Sequence, residues 1–263
     1  GGSLFVQREG SGTPVLLLHA GIADSRSWDA LVPLLTEAGH HVIRYDRRGY
    51  GRSITQDVPF SDRADALAVL DALGIERAVF VGNSMGGMVA IDTAIESRGR
   101  VAAVVAVAAG VSGYGPEPTP AESELFDEMD RLEAGGDADA IAAFDVMVWV
   151  NGPGQPAERA PAHVREAVLE MDRGLWDPPR TKGQSTRLEP RAAGRLQELT
   201  VPVVALAGEL DLTETWTTAR YLEEHAPQAH AVLLPGVAHM IGMEMPAELA
   251  RHILELSRSI PDR

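Results

Sequence analysis

The stretch AVFVGNSMGG, residues 78–87, runs from an apolar segment into a glycine-rich turn. Apolar residues then recur at helical spacing in Met88-Val89-Ala90-Ile91, so the turn joins a strand to a helix. Its centre, Gly82-Asn83-Ser84-Met85-Gly86, has the G-x-S-x-G form, which in this context presents a serine hydroxyl at a sharp bend. A Cβ at either flanking glycine is expected to collide with the opposite limb of the turn. Ser84 is therefore a candidate nucleophile, facing the amides of a helix N-terminus.

Strands and helices alternate on both sides of this turn. Short apolar runs bounded by turn residues predict strands at 4–7, 15–18, 42–45, 78–81, 101–108, 203–207 and 231–234. Helical patterns lie between them at 28–38, 61–73, 85–97, 215–225 and 246–257. Several of the runs are apolar throughout, which is typical of a parallel sheet covered on both faces. The alternation predicts an α/β fold with a doubly wound, mostly parallel sheet.

The alternation is interrupted once, between residues 112 and 199. This segment predicts helices at 120–134, 138–150 and 161–173, after a Gly/Pro-rich link at 114–118. We therefore expect a core of residues 1–111 and 200–263, with residues 112–199 inserted as a helical lid. Ligands bind at the carboxyl ends of strands in open α/β sheets, and an insertion after the nucleophile strand would lie over those ends. The alternative is a helical decoration with no role in binding.

An attacking serine needs a base, and histidine is the side chain with a pKa near neutrality. His239 follows the strand at 231–234 in the loop Pro235-Gly236-Val237-Ala238-His239, at the expected carboxyl edge of the sheet. Apart from His19, the other histidines lie in segments predicted to be helical or polar, or at the amino ends of strands. His239 is therefore the candidate base.

The imidazole also needs a carboxylate that orients it. Asp211 follows the strand at 203–207 in Gly208-Glu209-Leu210-Asp211, one strand before the histidine loop. Glu209 and Glu214 are local rivals, and a helix N-cap is the alternative role for Asp211. The chain order Ser84, Asp211, His239 is the nucleophile, acid, base order expected for this architecture.

An oxyanion site should come from an early loop and from the residue after the nucleophile. The strand Leu16-Leu17-Leu18 ends in His19-Ala20-Gly21-Ile22. The backbone amides of Gly21 and Met85 are the expected donors, with Ile22 as the alternate. We interpret His19 as a structural residue that bonds the loop backbone.

Composition narrows the class of protein. The 23 basic and 38 acidic residues give a net charge of −15, which argues against nucleic acid and anionic membranes as partners. The chain has no cysteine, which excludes disulfides and thiolate chemistry.

No apolar run is long enough to span a bilayer and no leader is visible, so we expect a cytoplasmic protein. Lys182 is the only lysine, which we interpret as the codon bias of a GC-rich, bacterial genome. No motif indicates a metal or an organic cofactor.

Taken together, these motifs resemble those of the α/β-hydrolase family over nearly the whole chain. The turn Asp46-Arg47-Arg48-Gly49-Tyr50-Gly51-Arg52-Ser53 is similar to the family's Asp-x-Arg-Gly-x-Gly-x-Ser segment. The resemblance implies a serine hydrolase with the triad Ser84, Asp211 and His239. The sequence departs from the family at Ala20, where a second glycine is usual, and the family's first strand is short or absent.

The turn Gly82-Asn83-Ser84-Met85-Gly86-Gly87 is closer to one branch, the carbon–carbon hydrolases that cleave vinylogous β-diketones. That resemblance implies that Asn83 and a lid arginine bind substrate oxygens, with Arg165, Arg173, Arg180 and Arg187 as candidates. That branch has tryptophan directly after the histidine, where this chain has Met240. We therefore favour a carboxylic ester or lactone as the small-molecule substrate. A non-catalytic small-molecule receptor of the same fold is a further alternative, which the complete triad disfavours.

The expected substrate contacts come from the same loops and from the lid. They are Asn83, Ile22, Met240 and the lid residue Trp149.

Overall fold

In the computed structural model, which describes residues 1–177 and 180–260, a seven-stranded sheet forms the centre of the molecule. Its strands are β1 (Val6–Gly10), β2 (Thr13–Leu18), β3 (His40–Tyr45), β4 (Ala78–Asn83), β5 (Val101–Val107), β6 (Val203–Gly208) and β7 (Ala229–Leu234). The spatial order is β7-β6-β5-β4-β2-β3-β1. All neighbours are parallel except β1, which pairs antiparallel with β3 at one edge. The predicted doubly wound, mostly parallel sheet is confirmed.

The side-chain alternation of β2 shows why the sheet is buried on both faces. Leu16 and Leu18 pack into one apolar cluster with the helices at Asp62–Ala72, Met85–Glu96 and Thr213–His225. Val15 and Leu17 pack into another with the helices at Val32–Glu37 and Pro246–Arg258. Successive residues of a strand point to opposite faces, so a strand that is apolar throughout needs helices on each side. The core helices are α1 (Val32–Glu37), α2 (Asp62–Ala72), α3 (Met85–Glu96), α7 (Thr213–His225), α8 (Ile241–Glu244) and α9 (Pro246–Arg258).

The helix predicted at 28–38 is wrong in its first turn. A 3₁₀ helix at Ser25–Trp28 comes first, capped by the Asp24 side chain, which accepts from the Arg26 N–H. The α-helix then starts anew at Val32. Pro33 lies in its first turn, where backbone N–H groups have no partner within the helix, so the N–H that proline lacks costs no hydrogen bond.

Two pairs of short strands are absent from the sequence prediction. They are Gly2–Ser3 with Ile54–Thr55 and Pro59–Phe60 with Gln184–Ser185, and each strand has two residues, which is too short to show periodicity.

The segment between β5 and β6 is mainly helical. It contains α4 (Pro120–Gly135), α5 (Ala138–Asp145) and α6 (Ala162–Trp176). The predicted single helix at 138–150 changes character, because a π-helix at Val146–Asn151 follows α5 directly. A capping box starts α4: the Thr119 hydroxyl accepts from the Glu122 N–H while the Glu122 carboxylate accepts from the Thr119 N–H. Among the described residues, no helix is both long and apolar enough to cross a membrane.

Candidate active site

Ser84 lies at the tip of a strained turn between β4 and α3. Its backbone has φ 55° and ψ −116°, a region that residues with a Cβ rarely adopt. The Ser84 N–H donates to the Val107 carbonyl at 2.8 Å, which ties the turn to the end of β5. A non-glycine residue held in such a conformation is typical of a functional position, because the surrounding structure must maintain the strain.

The two glycines of the turn are required for different reasons. A Cβ on Gly82 would lie 2.2 Å from the Gly86 carbonyl oxygen, on the opposite limb of the turn. A Cβ on Gly86 would instead lie 2.1 Å from the Leu18 carbonyl oxygen, at the end of the neighbouring strand β2. The expected collision with the opposite limb therefore holds for Gly82 and is wrong for Gly86. Gly86 allows the turn to approach the loop that follows β2.

His239 and Asp211 form a buried hydrogen-bonded pair. The Nδ1–H of His239 donates to the Oδ2 of Asp211 at 2.8 Å, and the two side chains are 5% and 0% exposed. The other carboxylate oxygen of Asp211 accepts the Leu212 N–H at 2.8 Å. Asp211 is thus held from both sides. Because the Nδ1–H of His239 donates to Asp211, Nε2 is the ring nitrogen that remains free to accept a proton. Such a pair orients a basic nitrogen and stabilises the imidazolium that proton uptake creates.

Backbone contacts position the histidine loop. The His239 N–H donates to the Trp149 carbonyl at 3.1 Å, and a Cβ on Gly208 would lie 2.3 Å from the Ala238 carbonyl oxygen. The rival carboxylate Glu209 accepts the Gly236 N–H at 3.1 Å and is exposed. Of the three candidate acids, Asp211 is the one that the structure hydrogen-bonds to the imidazole.

A cavity of about 130 Å³ lies in front of Ser84 and His239. We call it the serine–histidine cavity, and its walls are Ser84, Met85, Met88, Ala108, Ala109, Gly110, Trp149, Leu212, Glu214, Thr215 and His239. The Trp149 ring lies against the imidazole, with ring centroids 4.7 Å apart. The structure therefore brings together Ser84, Met85, His239 and Trp149 of the predicted site, with Asp211 directly behind the histidine.

The loop proposed for the oxyanion site contacts the serine turn. A Cβ on Gly21 would lie 2.8 Å from the Met85 sulfur, so the two proposed donor residues are adjacent. His19 fastens this loop: its Nδ1–H donates to the Ala20 carbonyl at 2.7 Å and its Nε2 accepts the Arg47 N–H at 2.9 Å. Complete burial, followed by the charge of Arg47, lowers the pKa of His19 to about 4. His19 is therefore neutral at physiological pH and serves as a structural link.

Three of the four predicted substrate contacts lie outside the serine–histidine cavity. Asn83 is 3% exposed, and its side-chain amide donates to the Val107 and His239 carbonyls at 3.4 and 3.3 Å. Met240 is 1% exposed and packs with Ile22 in an apolar cluster between the core and the helical insertion. Each of these three side chains is engaged by the protein itself, and Trp149 is the one predicted contact among the walls of the cavity.

The four candidate arginines of the insertion also lie away from the walls of this cavity. The Arg165 side chain donates to the carbonyls of Ala160 and Ala157, both at 3.1 Å. Arg173 pairs with Asp139 at 2.9 Å, and Arg180 donates to the Gly174 carbonyl at 2.8 Å. Arg187 lines a different cavity. No arginine within the described residues is placed to hold a substrate carboxylate beside Ser84.

Sequence reasoning missed several wall residues. Met88 lies one helical turn after Ser84, a spacing that places both on one side of α3 and that could have identified it. Thr215 and Glu214 lie in the first turn of α7, just after the Asp211 loop, where Glu214 had been considered only as a rival acid. Glu214 is exposed overall, and partial desolvation at the cavity wall raises its pKa; the charge of His239 opposes this rise and the charge of Asp211 adds to it. Within residues 1–177 and 180–260, no cluster of three or more His, Asp and Glu side chains could hold a metal ion.

Comparison with known proteins agrees with the fold. The model of the alpha/beta hydrolase family matches residues 15–252, and the chain belongs to this family. It is similar to the rhodomycin D methylesterase of a Streptomyces strain, at 28% identity over 94% of this chain and 91% of the relative. It is also similar to epoxide hydrolase A of Mycobacterium tuberculosis, at 27% identity over 93% and 90%.

A solved structure extends the comparison. An N-acyl homoserine lactone degrading enzyme has a TM-score of 0.73 and 25% identity, with 96% of each chain covered. The relatives thus include an esterase, an epoxide hydrolase and a lactone-degrading enzyme. Membership of the family and its named relatives make this chain a hydrolase, whereas the fold alone leaves the scissile bond open.

Proposed function

We propose that the chain is a serine hydrolase that cleaves a small carboxylic ester or lactone through an acyl-enzyme on Ser84. The observation that carries the proposal is the shared cavity of Ser84 and His239, with the imidazole hydrogen-bonded to the buried Asp211. Acyl transfer to a hydroxyl requires a nucleophilic serine, a base held in the right orientation, and a carboxylate that accepts a hydrogen bond from that base.

The reaction has two halves. His239 Nε2 takes the Ser84 hydroxyl proton as the serine oxygen attacks the substrate carbonyl, and the Gly21 and Met85 N–H groups stabilise the oxyanion. The C–O bond then breaks and His239 returns the proton to the departing alcohol oxygen. In the second half, water attacks the acyl-enzyme, His239 takes a water proton, and the serine oxygen leaves with that proton while the carboxylic acid is released.

The helical insertion, residues 112–199, acts in this proposal as a lid. Two observations support this role: Trp149 of the insertion forms a wall of the cavity and contacts His239, and Val150 packs with Ala20 in the apolar cluster. An apolar cover excludes water and strengthens the electrostatic interactions beneath it.

The carbon–carbon alternative receives less support from the geometry. It needs groups that hold a dienolate and a carboxylate, and the Asn83 amide is bonded to two backbone carbonyls while the insertion's arginines lie elsewhere. We expect an aryl ester of a short-chain acid to be hydrolysed with a higher kcat/KM than a vinylogous diketone acid. A tenfold advantage for the diketone would overturn the ester proposal.

The direct test is Ser84→Ala with an activated ester as substrate. Loss of one triad member costs about 10⁴-fold or more in kcat, because the oxyanion site alone remains. A fluorophosphonate should label the wild-type protein and not the variant, and circular dichroism should show the same fold for both. Turnover by Ser84→Ala equal to that of the wild type would overturn the serine-hydrolase proposal. An unlabelled wild type that binds small molecules without turnover would favour the receptor alternative.

A further inference from the structure

The serine–histidine cavity contains one charged side chain that the proposed mechanism does not use. Its walls are apolar or uncharged apart from His239 and Glu214. Glu214 makes no hydrogen bond or ion pair within the part of the chain that the structure describes. Glu214 is exposed to solvent at the cavity wall, so its carboxylate is free to pair with a cationic group that binds beside Ser84.

The surroundings of Glu214 make the cavity negative. The charges of Asp211 and Glu122 act on Glu214 in one direction and that of His239 in the other. Glu122 accepts hydrogen bonds from Thr119 and Thr213 that hold its pKa below its ordinary value, so Glu122 stays charged. The single imidazolium of the transition state faces two carboxylates, Asp211 and Glu214, so this group of three side chains keeps a net negative charge.

The neighbouring cavity does not offset the negative charge of the serine–histidine cavity. It has a volume of about 420 Å³, shares Met85 and Met88 with the serine–histidine cavity, and is lined by four arginines. Three of them are paired: Arg47 with Asp62 at 3.0 Å, Arg63 with Glu96 at 2.8 Å and Arg191 with Glu189 at 2.7 Å. The fourth, Arg187, is exposed to solvent. Apart from His239, the charged side chain that lines the cavity of the reacting serine is therefore negative.

We infer that Glu214 is a specificity-determining residue that selects esters or lactones bearing a positively charged, ammonium-type group near the scissile bond. The inference rests on the proposed ester hydrolysis at Ser84. Glu214 approaches the substrate from the wall formed by α7, next to Leu212 and Thr215, and its carboxylate pairs with the cation while His239 serves the reacting oxygen. The same carboxylate repels an anionic ester, so selection has an attractive and a repulsive component.

Two matched pairs of esters test the inference. Acetylcholine is compared with its neutral isostere, in which a tert-butyl group replaces trimethylammonium. Betaine methyl ester is compared with the corresponding tert-butylacetic acid methyl ester. The first pair carries the charge on the alcohol side and the second on the acyl side. The measured quantity is the ratio of kcat/KM for the cationic ester to that for its neutral partner, so comparing this ratio between variants cancels the intrinsic reactivity of the esters.

In Glu214→Gln we expect this ratio to fall about tenfold for at least one pair, mainly through a higher KM, because ground state and transition state both carry the cation. Glu214→Lys should lower the ratio further, a change that a purely structural role of Glu214 would not produce. Glu224→Gln is the matched control: it removes an exposed charge from the same helix, α7, outside the cavity, and should leave the ratio unchanged.

The outcomes separate the two proposals. If the wild type hydrolyses the esters and the ratio is the same in wild type, Glu214→Gln and Glu214→Lys, the inference about Glu214 is wrong and the serine-hydrolase proposal stands. If the wild type hydrolyses none of the esters and its Ser84 is not labelled by a fluorophosphonate, the proposed function itself fails. A ratio that falls equally in Glu224→Gln would show that net charge, and not Glu214, sets the preference, which also overturns the inference.

Discussion

Asp211 and Glu209 lie two residues apart at the end of β6, yet their side chains have different partners. Asp211 accepts from His239 at 2.8 Å, whereas Glu209 accepts from the Gly236 backbone at 3.1 Å. Both residues follow Gly208, the last residue of β6, so the path of the loop turns Asp211 toward the histidine and Glu209 toward the Gly236 backbone. The chemical type of the two residues is the same, so position decides which one acts on the imidazole.

We predict that Asp211→Asn lowers kcat by about 10⁴-fold, because the amide would hold the imidazole in the wrong tautomer. Glu209→Gln is the matched control and should cost less than tenfold, since an amide oxygen can still accept the Gly236 N–H. The measurement is kcat on an activated ester for both variants. A reversed order of the two effects would assign the acid to Glu209.

Gly86 provides a residue-scale test of the turn. A Cβ at this position would lie 2.1 Å from a backbone oxygen, so Gly86→Ala must displace the turn from the loop after β2. We expect a loss of about 2–4 kcal/mol in the free energy of unfolding, together with loss of activity. Gly174→Ala in α6 is the control, because a Cβ there has nothing within 4 Å. This variant should gain about 0.5–1 kcal/mol from helix propensity, as measured by urea denaturation.

At the scale of elements, the π-helix Val146–Asn151 connects the insertion to the histidine loop. The last carbonyls of a helix lack partners within the helix, and the Trp149 carbonyl accepts the His239 N–H at 3.1 Å. The Asp145 side chain, at the start of this turn, interacts with Asp172 of α6, and the buried atoms Asp145 Oδ1 and Asp172 Oδ2 have no hydrogen-bond partner among the described residues. Both carboxyl groups are buried, and they can share one proton.

The pair makes the stability of the insertion depend on pH. Burial is the largest cause that raises the pKa of Asp172, and the charge of Asp145 raises it further. The folded state therefore keeps a proton that the unfolded state loses above an ordinary Asp pKa of about 4, so stability falls as pH rises from that value through the raised pKa.

Asp172→Asn should remove this loss, because the amide can donate to Asp145 without a proton of its own to lose. We expect the variant to be more stable than the wild type by about 1–3 kcal/mol at pH 8 and nearly equal at pH 5. Thermal unfolding at both values of pH measures the difference. Asp127→Asn, an exposed position on α4, is the control and should follow the wild type at each pH. A wild type with the same stability at both values would contradict the assignment.

At the scale of the whole molecule, Glu122 joins the insertion to the core. One carboxylate oxygen accepts from Thr119 at 2.8 Å and caps α4, and the other accepts from the Thr213 N–H at 2.6 Å at the start of α7. A single side chain thereby satisfies the free amides of two helix N-termini that belong to different parts of the chain.

Glu122→Ala should lower the free energy of unfolding by about 1–2 kcal/mol, as expected for the loss of a helix cap. Hydrogen exchange should become faster at both ends of the link, in the first turns of α4 and α7. Glu124→Ala, an exposed neighbour on α4, should change neither region. Faster exchange in α4 alone would show that the bond to Thr213 contributes nothing to the attachment of the insertion.

The sequence by itself determined the alternation of strands and helices, the helical insertion and the serine turn. These features follow from local periodicity and from glycine patterns, which depend on neighbours along the chain. Local pattern also placed Ser84, Asp211 and His239 after strands whose carboxyl ends share one edge, so their juxtaposition followed from the parallel sheet.

The tertiary structure alone decided which side chains face the cavity. Asn83, Ile22 and Met240 are adjacent to the site in sequence but are bonded or packed within the protein, whereas Glu214 and Met88 form its walls. The break of the first helix near Pro33 and the π-helix around Trp149 likewise depend on caps and on contacts with distant segments. Side-chain direction in a loop is set by partners from other parts of the chain, because no repeating pattern constrains it.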